Sequence, residues 1–270
     1  MQVAEIDWLE LWQELVSTVS RSKTSEWPNS YKIHFRKKTR ERRDPLFDFI
    51  LKDTDTLGTI LDIGAGNGRW TIPIARVARN VTAVEPSDYM VNMLRENIAV
   101  AGLNNIQILQ AIWEESVVVP HDVVVSAHAI YSTPDFAACV LKMDKYARKR
   151  CYLAVRLPPY NGIIGELSLQ IYGHRHDSPN AIIAYNALYS MGIYANLLVE
   201  DDIYHWVDSS FEEAFARAKR HLRLESTSSH DKLIYNALDH RLTYSNNSYV
   251  WPDGMRSALL WWNPRAISKQ

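Results

Sequence analysis

The chain has 270 residues, 47% of them hydrophobic, enough for one large α/β domain or two small ones with a sizeable core. With 30 Lys and Arg against 31 Asp and Glu, the net charge of −1 provides no overall field to draw it to nucleic acid or a membrane. Two cysteines, Cys139 and Cys151, make no disulfide framework and read as core filler; there is no signal peptide, lipidation motif or apolar run of spanning length, so a cytoplasmic protein is expected.

In chain order, Ile6, Leu9, Trp12, Leu15, Val16 and Val19 fall at helical spacing and predict an amphipathic helix from Glu5 to about Val19. Seven basic residues between Lys32 and Arg43 form a helical segment, read as a solvated face with Tyr31 and Phe35 turned inward in preference to an RNA footprint. Asp44-Pro45 reads as an N-cap and first-turn proline for a helix ending near Lys52. Thr59 to Ile63 is a strand, Asn67 to about Ala78 a helix, and Val81 to Glu85 a second strand. Ser87 caps a helix carrying Met90, Met93, Leu94 and Ile98 that stops at Gly102. Strands follow at Ile106–Leu109, Asp122–Ser126 and Cys151–Val155, their near-continuous apolar runs predicting a parallel sheet covered on both faces. Beyond them, helices are expected at about 163–172, 180–191, 209–221 and 230–242, and extended segments at about 196–207 and 256–262.

The most informative stretch is Leu61-Asp62-Ile63-Gly64-Ala65-Gly66-Asn67-Gly68, with Glu85 a further 17 residues on. Glycines at alternating positions let the backbone approach a ligand closely, and an acidic residue at that distance is placed to hold ribose hydroxyls. Asp62 would repel a pyrophosphate but can receive the ammonium of an amino-acid moiety. The segment resembles motif I of the class I S-adenosylmethionine-dependent methyltransferases, and Val84-Glu85-Pro86-Ser87 is similar to their acidic loop. The resemblance is specific over about residues 58–157. It implies a Rossmann-like three-layer α/β/α sandwich with a seven-stranded, mostly parallel sheet, an antiparallel last strand, and extra N-terminal and C-terminal helices. The implied cofactor is S-adenosyl-L-methionine, held by Asp62, Gly64, Ala65, Gly66, Glu85 and Pro86. Ala111, Ile112 and Trp113 stand where the family contacts adenine, Trp113 also being suited to core packing.

After the fourth strand, small Ser126 and Ala127 would leave room for the methyl group, and His128 and Tyr131 are the candidate catalytic or acceptor-contacting residues, the alternative being wall residues. Leu157-Pro158-Pro159-Tyr160 ends the fifth strand and turns the chain over the acceptor pocket, while Arg156 reads as a structural ion pair in preference to a partner for an acidic substrate group. His174-Arg175-His176 has no cysteine nearby and no third histidine at helical spacing, so no metal site is expected. Residues 1–57 are expected to form a lid over the cofactor, with Trp27, Tyr31 and Phe35 closing on its methionine end, and 58–270 the methyltransferase domain with helical insertions at about 158–192 and 209–242. The expected function is methyl transfer to a small-molecule acceptor, with Tyr172, Tyr185, Tyr189 and Tyr194 near it; an RNA or protein acceptor and a non-catalytic cofactor-binding scaffold are the alternatives. Trp261-Trp262 leaves core packing or a homodimer interface open.

Overall fold

Alternation along each buried strand decides which helical layer its side chains meet. The computed structural model describes residues 6–18, 44–53, 58–201, 203–225, 227–252 and 254–265. Its strands are β1 (Thr59–Ile63), β2 (Asn80–Val84), β3 (Ile106–Leu109), β4 (His121–Ala127), β5 (Ala147–Leu157), β6 (Asn196–Val199), β7 (Val207–Asp208), β8 (Thr243–Ser245), β9 (Ser248–Val250) and β10 (Arg256–Trp262). The main sheet runs β3-β2-β1-β4-β5-β10-β6, with β10 antiparallel to both neighbours. This is the expected Rossmann-like sheet, and its order reverses between β1 and β4, where a crevice opens at the strand tips.

Leu61, Val124, Leu153 and Leu260 face one layer, made by α1 (Trp8–Thr18), α5 (Phe136–Tyr146) and α7 (Ala181–Ser190). Their neighbours Ile60, Val123, Val125, Tyr152 and Leu259 face the other, where α2 (Pro45–Asp53) and α3 (Thr71–Ala75) pack, while Leu94 of α4 (Asp88–Ala101) lies on Ala83. Asp44 caps α2 by accepting the Phe47 N–H at 3.2 Å, and Ser87 caps α4 as expected. Cys139 and Cys151 are both buried in the first layer. Trp262 is buried there too, its indole N–H donating to Asp144 at 3.1 Å.

A third apolar cluster joins α6 (Ile163–Tyr172), α8 (Phe211–His221) and α9 (Asp231–Arg241) to a small antiparallel sheet, β7-β9-β8, through Leu167, Ala218, Ile234, Leu238 and Trp251. Asp208 clasps it, accepting two N–H groups of Arg217 at 2.6 and 2.9 Å and the Trp251 indole N–H at 2.8 Å.

Several expectations need correction. The helix expected from Asn67 to Ala78 shrinks to Thr71–Ala75, because Pro73, which has no N–H to donate, is accommodated only in a first turn. The extended segment at 196–207 divides between two sheets. The hairpin β8–β9 was not foreseen; Asn246 and Asn247, both left-handed at φ +50° and +56°, make its two-residue turn. Of the N-terminal region expected to form a lid, α1 is a core helix whose Trp12 indole donates to the Thr133 carbonyl at 2.9 Å. Trp27, Tyr31, Phe35 and the basic run lie outside the described residues. Among the described residues no helix is long and apolar enough to cross a membrane.

Trp12 has no exposed surface and packs on Phe136 with ring centroids 4.5 Å apart. Trp12→Ala is expected to cost about 3–5 kcal/mol, seen as a lower urea midpoint; a loss under about 1 kcal/mol would show that α1 contributes little to the core.

Candidate active site

At the tip of β1 the chain turns through Gly64, Gly66 and Gly68, at φ +71°, +56° and +91°. The Gly64 and Ala65 N–H groups donate to the Val84 carbonyl at 2.8 and 3.0 Å, folding the turn onto the tip of β2. A Cβ on Gly64 would lie 2.1 Å from that of Ala129, whereas one on Gly66 would meet no protein atom within 4 Å. The turn is therefore closed against the protein on one side and open to the crevice on the other.

Two carboxylates flank it. Asp62 is buried and accepts the Thr71 hydroxyl at 2.6 Å; burial, reinforced by the Glu85 charge and opposed by that hydrogen bond, pushes its pKa up to about 6. Glu85 accepts the Gly66 N–H at 2.8 Å on one oxygen and the Ser87 N–H at 3.0 Å on the other. Burial still holds its pKa above the usual range against those two bonds.

A cavity of about 490 Å³ opens on one side of the turn, walled by Asp62, Gly64, Ala65 and Gly66 and, across from them, His128, Tyr131 and Arg156. A second, of about 520 Å³, is lined by Gly64, Val84, Pro86, Ile112 and Trp113. Gly64 borders both, and the Glu85 carboxylate is bonded to the turn. Ile112, 42% exposed, offers the second cavity an apolar surface. Trp113 is a core residue at its edge, its indole N–H donating to the Cys139 carbonyl at 3.3 Å and the Lys142 ammonium 4.4 Å from its ring centroid. Ala111 lines neither cavity, and Gln110 donates to Asp88. Ser126 is fully buried with its hydroxyl on the Ile63 carbonyl at 3.2 Å, so Ala127 reaches the crevice in its place.

His128 has a left-handed backbone, φ +55°, anchored by its N–H on the Ala154 carbonyl at 2.8 Å. Its Nδ1 is 2.9 Å from the Tyr131 hydroxyl, which accepts the Arg156 backbone N–H at 2.8 Å. Burial, with the charges of Arg69 and Arg156, lowers the His128 pKa to about 4, and burial raises that of Tyr131. At neutral pH the pair is an uncharged imidazole on a protonated phenol. Such an imidazole is a weak base; it offers a fixed hydrogen bond.

Sequence reasoning missed Arg69, Trp70, Tyr89 and Met93 in this wall, although Arg69 directly follows the last glycine. It read Asp44 as a cap alone, whereas its second oxygen also accepts Arg69 Nη2 at 2.6 Å and the Trp70 indole at 2.9 Å. A third cavity, of about 660 Å³, lies beyond the tip of β5 among Leu157, Pro158, Ile163, Ile182, Trp206 and Trp251. The four expected tyrosines do not line it; Tyr189 and Tyr194 pack on each other at 5.8 Å and Tyr172 bonds the Leu222 carbonyl. His174 and His176 stack at 6.3 Å, and Asp177 accepts His221 Nδ1 at 2.9 Å.

Residues 60–149 match a family described as a methyltransferase domain. Over this segment the chain is similar to a methyltransferase domain, and its sheet has the Rossmann-like strand order. The chain is 26% identical over 209 residues to an uncharacterised protein of Haemophilus influenzae, covering 76% of this chain and 75% of that one. It is 38% identical over 69 residues to "Probable ribosomal RNA small subunit methyltransferase A" of Methanosphaera stadtmanae, spanning 25% of this chain and 26% of that relative. The fold is shared with the YcgJ protein of Bacillus subtilis, with a TM-score of 0.56 at 15% identity over 82% of this chain and 98% of that one.

The raised pKa of Asp62 stabilises the fold fully below about pH 4, and that stabilisation is lost as pH rises through about 6. Asp62→Asn cannot ionise, so its stability relative to the parent should rise by about 2–3 kcal/mol between pH 4 and pH 7 in urea unfolding. A pH-independent difference would show Asp62 to be solvated.

Proposed function

We propose that the domain binds S-adenosyl-L-methionine and transfers its methyl group in line to a small-molecule acceptor, leaving S-adenosyl-L-homocysteine. The observation that carries this reading is the pair of buried carboxylates on either side of a glycine turn that is open at Gly66.

The residues fit the cofactor part by part. The cradle at Gly66 is one that a side chain would fill. Asp62, destabilised as an anion by burial, would gain from an ammonium beside it. Glu85 would receive the ribose hydroxyls, since each of its oxygens keeps a lone pair beyond the backbone N–H it accepts. Val84, Pro86 and Ile112 supply an apolar slot for the purine. Arg69 stands in the wall near Asp62 for the methionine carboxylate.

When bound, the cofactor supplies an electrophilic methyl group on a cationic sulfur, and the protein's part is chiefly alignment. Ala127 leaves space at the tip of β4, and His128 and Tyr131 form a neutral, hydrogen-bonding wall to hold an acceptor in position. The cavity beyond β5 has the volume of a small-molecule site and mostly apolar walls, which supports a small acceptor over a macromolecule. The short match to an RNA methyltransferase covers only a quarter of the chain.

Calorimetric titration should show binding of S-adenosylmethionine and none of NAD; the reverse would overturn the reading. Glu85→Ala should weaken cofactor binding by about 1–3 kcal/mol, the scale of lost hydrogen bonds to a charged group. Unchanged affinity would place the ribose elsewhere. Methyl transfer from labelled cofactor should appear in a metabolite fraction, and transfer to RNA or protein alone would replace the acceptor class.

A further inference from the structure

We propose that the acceptor is an apolar molecule bearing a carboxylate, and that the Arg156 guanidinium receives this group between the cofactor cavity and the chamber beyond β5. The inference rests on the methyltransferase reading above and adds the chemistry of its substrate.

Four observations converge on Arg156. Its guanidinium carbon lies 4.2 Å from the centroid of the Tyr131 ring, so the cation is stacked on an aromatic face in the wall of the cofactor cavity. Its Nε is buried without a hydrogen-bond partner, and it is the sole buried side-chain polar atom in that condition among the described residues. A desolvated N–H of this kind is costly unless a ligand completes it.

The second observation is the lack of a counter-charge. Arg69 is paired with Asp44 at 2.6 Å, Arg217 with Asp208 at 2.6 Å and Arg241 with Glu166 at 2.7 Å, while Arg156 forms no ion pair among the described residues. Asp177, the carboxylate whose ionisation Arg156 helps to favour, is already bonded to His221. The expectation that Arg156 serves a structural ion pair is thus replaced by a cation that is held by Tyr131 and has no carboxylate partner among the described residues.

Third, its surroundings admit an anion. Of the titratable groups that line the cavity with it, His128 is neutral at pH 7, Tyr131 is protonated there and Arg69 is a cation paired with Asp44, so none of these opposes a carboxylate. Asp62 is also in that wall and is held by Thr71. Fourth, the next residue, Leu157, lines the 660 Å³ chamber with Ile163, Ile182, Trp206 and Trp251. Consecutive residues of β5 thus serve the two spaces, a cation in one and apolar walls in the other. A planar guanidinium with one net charge matches a carboxylate, which it can hold through two parallel N–H bonds.

The test uses 2-naphthoate and its uncharged counterpart 2-naphthamide, each titrated calorimetrically into the full-length protein saturated with S-adenosyl-L-homocysteine. The acid should bind about tenfold or more tightly than the amide, the scale of one charge-assisted pair. Arg156→Met should abolish that preference and Arg156→Lys should restore part of it. Equal binding of acid and amide, binding of neither, or a preference that survives in Arg156→Met would overturn the proposal. S-adenosyl-L-homocysteine itself should bind the parent and Arg156→Met alike. If Arg156→Met weakens it about tenfold, Arg156 belongs to the cofactor's own carboxylate and the proposal falls. If the parent does not bind it at all, the cofactor reading fails first; homocysteine-nucleoside binding without acid preference removes this inference alone.

Discussion

The site depends on one constraint, the hydrogen bond from the Gly66 N–H to the Glu85 carboxylate that ties the glycine turn to the neighbouring strand tip. It fixes the open face of the turn toward the crevice and holds an anion in place beside a second one, Asp62. Neither carboxylate is matched by a cation within ion-pair distance among the described residues; backbone N–H groups and one hydroxyl are their partners. Two such anions at adjacent tips are costly to bury together, a cost that a neighbouring cation would lower.

Around this centre the fold supplies rigid support on one side and specific walls on the other. Asp44 joins α2 to the glycine turn through Arg69 and Trp70, so the helix that covers one sheet face also positions the wall of the cavity at that turn. On the far side, α6, α8, α9 and the small sheet form their own apolar cluster, clasped by Asp208, and carry the chamber beyond β5. His128, fixed by its backbone bond to Ala154, and Tyr131, fixed by Arg156, stand between the two.

Much of this was legible in the chain because local rules governed it. Apolar runs bounded by turns gave β1 and β3 at their observed positions and β2 one residue late, and Ser87 and Gly102 marked the ends of α4. Asp62, Gly64, Gly66 and Glu85 were readable from spacing. What escaped was set by tertiary contact. Tyr172 and Tyr189 fall at helical positions that do not line the chamber, Tyr194 lies in the loop before β6 and packs on Tyr189, and Ser126 points into the sheet because strand parity does not show which face meets the crevice. Arg156 was read as a structural ion pair in preference to a substrate contact, and the sequence could not show that its Nε is buried without a hydrogen-bond partner. The Asn246-Asn247 turn was a local signal that was passed over.

The most direct measurement is the proton balance of cofactor binding. S-adenosylmethionine is titrated at pH 6 in buffers of different ionisation enthalpy, with the parent and with Asp62→Asn. If an ammonium settles beside Asp62, whose pKa lies at about 6, the parent should release about half a proton on binding and Asp62→Asn none. Binding with no buffer-dependent heat in the parent would contradict the assignment of Asp62 to a cationic ligand.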